Sequence, residues 1–426
     1  MTPKIVIPRY EDCEIHGLPW DAFVVTNSER STLLCPRWNW FQYTENLRPL
    51  VTDRPLRIGS AWHLIMESVY RHWMAHDTEF DDAVWTDPLE KIESDWSEQS
   101  KVGLVPEDEW RTDVERLSRS MYGYIQYRGR APSSKYRIVA VEQALCAPIM
   151  EKDTDNVFSP DAALMAEEYG FREARTGEGK DGRCSVIQKP YYYIGRADVI
   201  VLHRETGDAW VLDHKYTASP ESYRTASLID LQMPGYCWML DWMLKNGHID
   251  FSGSGRVGGY IFEATSSALA RHPTFLKSGK ISKAANARIA SWNFIKFCED
   301  NEIDVAPYAE YIESLKKRVD RTLYISDWTQ ITENDIVRCA KEAYGVARRI
   351  SDLKWDAAFG DLSDINYSHP RLPLCKRPGS KCRYTTMCFS ESAYSLGFEV
   401  GDGVRWITNP KFLSNDNNKL EEELGW

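Results

Sequence analysis

The spacing of hydrophobic positions changes several times along the chain, and each change marks an element. Residues 31–43 (STLLCPRWNWFQY) open on a capping-type Ser31 and carry apolar and aromatic residues at helical spacing, interrupted by Pro36. A second helix is predicted over 59–74, with Trp62, Ile65, Met66, Val69 and Trp73 on one stripe and His63, Glu67 and Tyr70 on another. A third covers 108–127 through Trp110, Val114, Leu117, Met121 and Ile125. The period then drops to two in YRIVAVE at 136–142, which predicts a strand ending at Glu142. Residues 150–190 are polar and Gly-rich around TGEGKDGR and read as an inserted excursion. From Tyr191 the chain reads YYYIGRADVIVL, HRETGD, AWVLDHKY, a β-hairpin with Gly207 and Asp208 near its turn. A helix over 223–245, a strand over 256–264 and helices near 281–300, 306–320 and 333–352 follow. No repeat interrupts this order, so one α/β core with helical additions is expected.

Composition narrows the class. The 426 residues are 43% hydrophobic and 12% aromatic, enough to build a large core. No run of eighteen apolar residues occurs, and the first residues lack the basic-then-apolar order of a signal peptide, so a cytoplasmic protein without membrane contact is expected. With 52 Lys and Arg against 63 Asp and Glu, the net charge of −11 excludes a protein that coats nucleic acid with its whole surface. Any such contact must be local. The best candidate for a phosphate-tracking wall is the stretch 271–288, which carries Arg271, Lys277, Lys280, Lys283 and Arg288.

The hairpin concentrates the chemistry. Asp213 and Lys215 stand two apart on a strand, so their side chains emerge on one face. His214 between them points away and leaves its backbone carbonyl as an oxygen ligand. Asp198 sits within GRADVIV on the preceding strand, where a short antiparallel return would bring it to Asp213, and Glu142 is the natural third carboxylate. Metal-assisted phosphodiester hydrolysis needs such a set: carboxylates converging on a hard cation, with a cationic group to place the attacking water. Any one of these residues alone would more often be a solvated charge.

Taken together, GRADVIV and VLDHKYTAS resemble the Gly-x-x-Asp and Asp-x-Lys strands of the PD-(D/E)XK nuclease superfamily, in particular its RecB-like exonuclease branch. The resemblance implies a mixed central sheet of restriction-endonuclease-like type flanked by helices. It makes 1–426 one nuclease domain, with the catalytic sheet at 136–264 and a helical insertion at 265–370. It assigns Asp198 and Asp213 to Mg²⁺ or Mn²⁺ and gives Lys215 the task of orienting or activating water. GSAWHLIMESVY resembles the branch's Gly-x-x-x-His helix and so adds His63 to the metal site. Glu142 in VAVE resembles the acid on the strand before the hairpin. DLQMPGY matches the Gln-x-x-x-Tyr motif, which makes Gln232 and Tyr236 DNA-facing residues one helical turn apart, with Pro234 confined to a first turn or a kink.

Ten cysteines in a cytoplasmic chain should mostly be reduced, and six of them are scattered singly. Cys375, Cys382 and Cys388 instead fall close together, with the density of a metal site. STLLCPR resembles the N-terminal segment of the branch's iron–sulfur members, among them AddB-type and CRISPR-associated nucleases. By that resemblance Cys35 joins the three C-terminal cysteines around a structural [4Fe–4S] cluster, within segments 31–45 and 370–390. The six residues between Cys375 and Cys382 exceed the family's usual two, which leaves Zn²⁺ on the same four thiolates open.

Two function classes follow. One is a DNA exonuclease acting on single-stranded or free ends in recombination, repair or phage DNA processing. The other is a non-catalytic or partner-dependent DNA-binding or assembly module with the same fold. A zinc enzyme built on the C-terminal thiolates is disfavoured, because no His-Glu pair beside them offers an open catalytic position. No G-x-x-x-x-G-K-[ST] phosphate loop is present, so any unwinding would fall to a helicase or recombination partner.

Overall fold

A computed structural model of the chain describes residues 23–33, 35–39, 42–43, 47–49, 53–149, 175–178, 184–186, 191–227, 231–268, 270–279, 281–282, 288–359, 399–400 and 404–408. In chain order, strand β1 (Phe23–Thr26) leads into helices α1 (Asn27–Thr32) and α2 (Pro36–Asn39), followed by strand β2 (Leu47–Pro49). Three long helices come next, α3 (Arg54–His76), α4 (Ala83–Lys101) and α5 (Glu107–Arg128). Strands β3 (Tyr136–Pro148), β4 (Arg175–Glu178), β5 (Cys184–Val186), β6 (Tyr191–His203) and β7 (Ala209–Thr217) precede helices α6 (Pro220–Ser227) and α7 (Gln232–Lys245). Then come β8 (Val257–Ser266), α8 (Ser291–Asp300), α9 (Ala309–Leu315), β9 (Tyr324–Gln330), α10 (Glu333–Phe359), β10 (Glu399–Val400) and β11 (Val404–Thr408). The fold is mixed α/β, with helices flanking a central mixed sheet.

That sheet runs β1-β6-β7-β8-β9, and β3 also pairs with β6. β6 and β7 form the antiparallel hairpin, in the register Val199↔Leu212 and Leu202↔Ala209. Its turn uses Gly207 at φ +71°, a left-handed conformation that glycine adopts without a Cβ clash. β7 and β8 are parallel and are connected through α6 and α7, as parallel neighbours require. β8 and β9 return to antiparallel pairing.

The chain divides into two units. The first comprises Met1–Thr52, Ala144–Gly195 and Val337–Trp426. In it β1 lies parallel to the opening of β6, β4 pairs with β5, and β11 joins β10 to β2. The second comprises Asp53–Gln143 and Arg196–Ile336 and contains the hairpin, β8, β9 and helices α3 to α9.

The core of the second unit explains the helical stripe read from the sequence. Trp62, Ile65, Met66, Val69 and Trp73 of α3 are all buried, and the Trp62 ring stacks on Tyr216 of β7 with centroids 4.6 Å apart. Burying side chains of this size stabilises the fold by about 2 kcal/mol each. Helices α3 and α5 are also tied by charge. The Arg54 guanidinium donates to both carboxylate oxygens of the fully buried Asp113 at 2.6 and 3.0 Å, and Arg57 lies 3.3 Å from the same carboxylate. A buried carboxylate needs such partners to stay charged.

Several boundaries differ from the sequence expectations, each for a local reason. The helix expected over 31–43 is two short helices, because Pro36 begins the second and Cys35 falls in the break; the cap of the first is Thr26, whose side chain accepts from Glu29 N–H. The strand expected to stop at Glu142 runs on to Pro148, since Glu142 interrupts the pleat with φ +54° rather than ending it. The helix expected over 223–245 is two helices, with Pro234 in the first turn of the second, where its missing N–H costs no helical bond. Residues 265–370 are not purely helical, because β9 lies among them and pairs with β8. Helix α4 and strand β1 carry no expectation from the sequence; the stripe Trp85, Leu89, Ile92 and Trp96 on α4 is a helical signal that could have found the first. Among the described residues no helix is long and apolar enough to cross a membrane.

Candidate active site

The hairpin register positions the acidic residues. Continued one step beyond Val199↔Leu212, it sets Asp198 opposite Asp213 on neighbouring strands, with both side chains on one face of the sheet. Two nitrogens approach Asp198 Oδ2. The His214 backbone N–H donates to it at 2.8 Å, and His63 Nδ1, projecting from α3, lies 3.3 Å away. Lys215 is two residues beyond Asp213 on the same face, and its Nζ donates to Asp213 Oδ1 at 2.8 Å.

Glu142 approaches from β3. Its left-handed backbone is a conformation that a non-glycine residue holds only when its surroundings fix it, and it turns the side chain out of the strand's alternation. Arg196 Nη1 lies 3.6 Å from Glu142 Oε2. Arg196 was not among the residues singled out in the sequence, although its place two before Asp198 puts it on the same strand face and is a usable signal.

The electrostatics show a site with more negative charge than its own cations relieve. Burial, then the Asp198 and Glu67 charges, push the Glu142 carboxyl up to about 7 against the opposing pull of Arg196. Burial, followed by repulsion from Asp213, raises Asp198 as well. Burial works against the Lys215 ammonium, but Asp213 and Asp198 outweigh it and hold that group above the usual lysine range. Lys215 therefore stays protonated at neutral pH. Burial lowers His63 despite the attraction of Asp198, so its ring is neutral under the same conditions. Glu67, one helical turn after His63, reaches the site through its effect on Glu142 and was noted in the sequence only as a member of the polar stripe.

Helix α7 supplies the next residues. Gln232 Nε2 donates to Tyr236 Oη at 3.1 Å. Burial and then the Asp213 charge push the Tyr236 hydroxyl up to about 12, so it remains a proton donor beside Asp213 and Lys215.

His214 faces the other way. Its ring is almost fully buried, with Nδ1 2.9 Å from Tyr70 Oη and 3.5 Å from Glu263 Oε2, and Nε2 3.2 Å from Thr265 Oγ1. Burial opposes the charge on Glu263, but its hydrogen bond to His214 and the His214 and Arg128 charges hold its carboxyl below the usual range. Glu263 carried no expectation from the sequence, although a single acid inside the apolar strand YIFEA is the signal that could have raised it.

The donor set suits a hard divalent cation: three carboxylates with excess negative charge, on adjacent strands, which such an ion would relieve. Among the described residues no three His, Cys, Asp or Glu side chains already converge as a metal cage. Lys215 on Asp213, and the His214 amide with His63 on Asp198, account for the carboxylate oxygens they touch.

The remaining sequence candidates divide by where they fall. Cys35 is buried between α1 and α2, with its N–H on the Thr32 carbonyl at 2.9 Å. Cys375, Cys382 and Cys388 lie outside the described residues, as do Lys280 and Lys283 of the basic stretch. Arg271 and Arg288 are exposed, and their backbones meet through a 2.7 Å bond from Arg271 N–H to the Arg288 carbonyl.

No curated protein matches the chain. The family profile of the PD-(D/E)XK nuclease superfamily matches residues 30–388, which includes the hairpin, α3, α7, Cys35 and Cys388. The chain belongs to the PD-(D/E)XK nuclease superfamily.

Proposed function

We propose that the protein is a Mg²⁺- or Mn²⁺-dependent deoxyribonuclease of the RecB-like branch, acting as an exonuclease on single-stranded or free DNA ends in recombination, repair or phage DNA processing. The observation that carries this reading is the pair Asp198 and Asp213 on facing strands, with protonated Lys215 bonded to Asp213. Asp198, Asp213 and Glu142 would hold the cation, with the His214 carbonyl and His63 as further ligands. When bound, the ion supplies charge neutralisation at the scissile phosphate and makes water more acidic. The chain's own residues do the rest. Lys215, which gains a partner in any anion placed at this site, orients water or the phosphate oxygen. Tyr236 and Gln232, bonded to each other beside it, present a hydroxyl and an amide to the DNA backbone. The exposed Arg271, Lys277 and Arg288 extend that contact along the strand.

The same reading includes a structural [4Fe–4S] cluster on Cys35, Cys375, Cys382 and Cys388, which would hold together two distant parts of the chain. The profile match supports it by starting just before Cys35 and ending at Cys388. Anaerobic purification should then give a brown protein with about four irons and four sulfides per chain. Zinc in their place would assign Zn²⁺ to the same thiolates.

The deciding experiment is cleavage of end-labelled single- and double-stranded DNA with Mg²⁺ or Mn²⁺, with Lys215→Ala alongside. Mononucleotide or short-ladder products from one end, lost in the variant, support the exonuclease. Internal cuts in closed circles would replace it with an endonuclease. A wild-type protein that binds DNA without cutting would move the function to a binding or assembly module, alone or with a helicase partner.

A further inference from the structure

The nuclease reading uses one face of β7, while the opposite face carries a closed polar cluster to which that reading gives no role. His214 and Thr265 are each 1% exposed, Tyr70 2% and Glu263 5%. They sit against the aromatic rings of Trp62 and Tyr124, whose centroids are 5.8 and 5.5 Å from that of His214. Apolar residues of similar shape would pack there at no cost in stability, whereas every buried polar atom must be matched.

The polar side-chain atoms of His214, Tyr70, Glu263 and Thr265 each meet a partner. His214 Nδ1 lies 2.9 Å from Tyr70 Oη and 3.5 Å from Glu263 Oε2, and the Tyr70 hydroxyl donates to that same Glu263 oxygen at 3.4 Å. Ser326 donates to the other Glu263 oxygen at 3.2 Å, and Thr265 Oγ1 shares a hydrogen bond with His214 Nε2 at the same distance. Three elements are thus fixed on one imidazole: α3 through Tyr70, β8 through Glu263 and Thr265, and β9 through Ser326. The His214 ring cannot turn without breaking several buried bonds.

The backbone of that same residue touches the site on the other side of the sheet, because its N–H holds Asp198 Oδ2 at 2.8 Å. We propose that Glu263 is a positioning residue for the metal site: through the His214 ring it fixes the His214 peptide and, with it, the orientation of the Asp198 carboxylate. The inference rests on the metal-dependent reading above. Its physical basis is that ligands held by buried outer hydrogen bonds bind metal more tightly than ligands left to rotate, with losses of about 10- to 100-fold when such a partner is removed.

The test uses the full-length protein and three measurements: Mn²⁺ affinity by calorimetry without DNA, DNA affinity without divalent metal, and folding by circular dichroism and thermal melting. Glu263→Gln keeps the volume but presents an amide in place of the carboxylate that receives the Tyr70 and Ser326 hydroxyls. It should weaken Mn²⁺ binding about tenfold while DNA affinity stays within about twofold of wild type. Tyr70→Phe, which deletes only the bridging hydroxyl, should weaken Mn²⁺ binding by about threefold. A folded Glu263→Gln protein with wild-type Mn²⁺ affinity overturns the proposal, even if its melting temperature falls. Should Glu263→Gln fail to fold, Tyr70→Phe decides, and unchanged Mn²⁺ affinity overturns the proposal. Wild-type protein that binds Mn²⁺ but leaves DNA intact would refute the nuclease reading and leave the role of Glu263 at the metal standing.

Discussion

The two faces of β7 solve opposite problems with alternate residues of one short segment. Asp213 and Lys215 share the face with Asp198, where carboxylates crowd and burial raises Asp198 further. His214 and Tyr216 share the other, where both of their side chains meet partners: His214 meets Tyr70 and Thr265, and the Tyr216 hydroxyl lies 2.8 Å from Ser120 Oγ beneath the Trp62 ring. One face stores electrostatic stress, and the other holds the strand rigid enough to bear it. A strand's period of two makes the division possible, and a one-residue slip would exchange the faces.

The contrast is broken most severely on the stressed face by Lys215→Ala. That variant should lose cleavage by about 10³-fold or more, about 4 kcal/mol in the transition state, while circular dichroism stays native. End-labelled DNA assays at saturating Mn²⁺ measure it, and a variant within tenfold of wild type would remove Lys215 from the chemistry. On the anchoring face the effect should appear in stability instead. Trp62→Ala removes a fully buried ring stacked on Tyr216 and should cost about 3 kcal/mol or more in denaturant titrations. A loss below about 1 kcal/mol would mean that the helix does not pin the strand.

A smaller effect of opposite sign sharpens the comparison. Asp198→Asn keeps an acceptor for the His214 N–H but removes a charge that burial and Asp213 disfavour. Without divalent metal it should therefore stabilise the protein by about 1 kcal/mol, visible as a rise of a few degrees in melting temperature, while abolishing cleavage. Residues that destabilise the metal-free fold are those held for function, so a fall in melting temperature would place Asp198 with the anchoring residues instead.

How much of this was legible in the sequence follows the same division. Period-two and period-3.6 patterns revealed β6, β7, α3 and α5, because each buries one face and its apolar spacing records that. The alternation in DHKY placed Asp213 and Lys215 together for the same reason. What pattern could not supply was pairing between distant segments. Nothing local says that Glu263 lies beside His214, since that contact depends on β7 and β8 being parallel in one register. β9 was missed because ISDWTQ has a weak alternation and becomes a strand through its partner β8. The bend at Glu142 was hidden because YRIVAVE reads as an uninterrupted strand, and only the backbone reveals its positive φ.

That bend gives the smallest and most specific of these effects. The folded state holds the Glu142 carboxyl at about 7, above its ordinary value of 4.5, so the native protein keeps a proton there that the unfolded chain has lost. The sign follows by linkage: the native state binds more protons from the ordinary value up through about 7, so metal-free stability falls as pH rises through that window and levels off about one pH unit above it. The side chain is partly exposed and solvent screens it, so the contribution is about 1 kcal/mol or less. Glu142→Gln should remove this slope, and the difference in melting temperature between wild type and variant should change between about pH 5 and about pH 8 and level off above it. Mn²⁺ competes with the same proton, so the stabilisation it confers on the wild type should grow with pH up to about 8 and grow less in Glu142→Gln. A pH-independent difference between the two proteins, with and without Mn²⁺, would place Glu142 outside the charge-stressed face and leave the site to the hairpin alone.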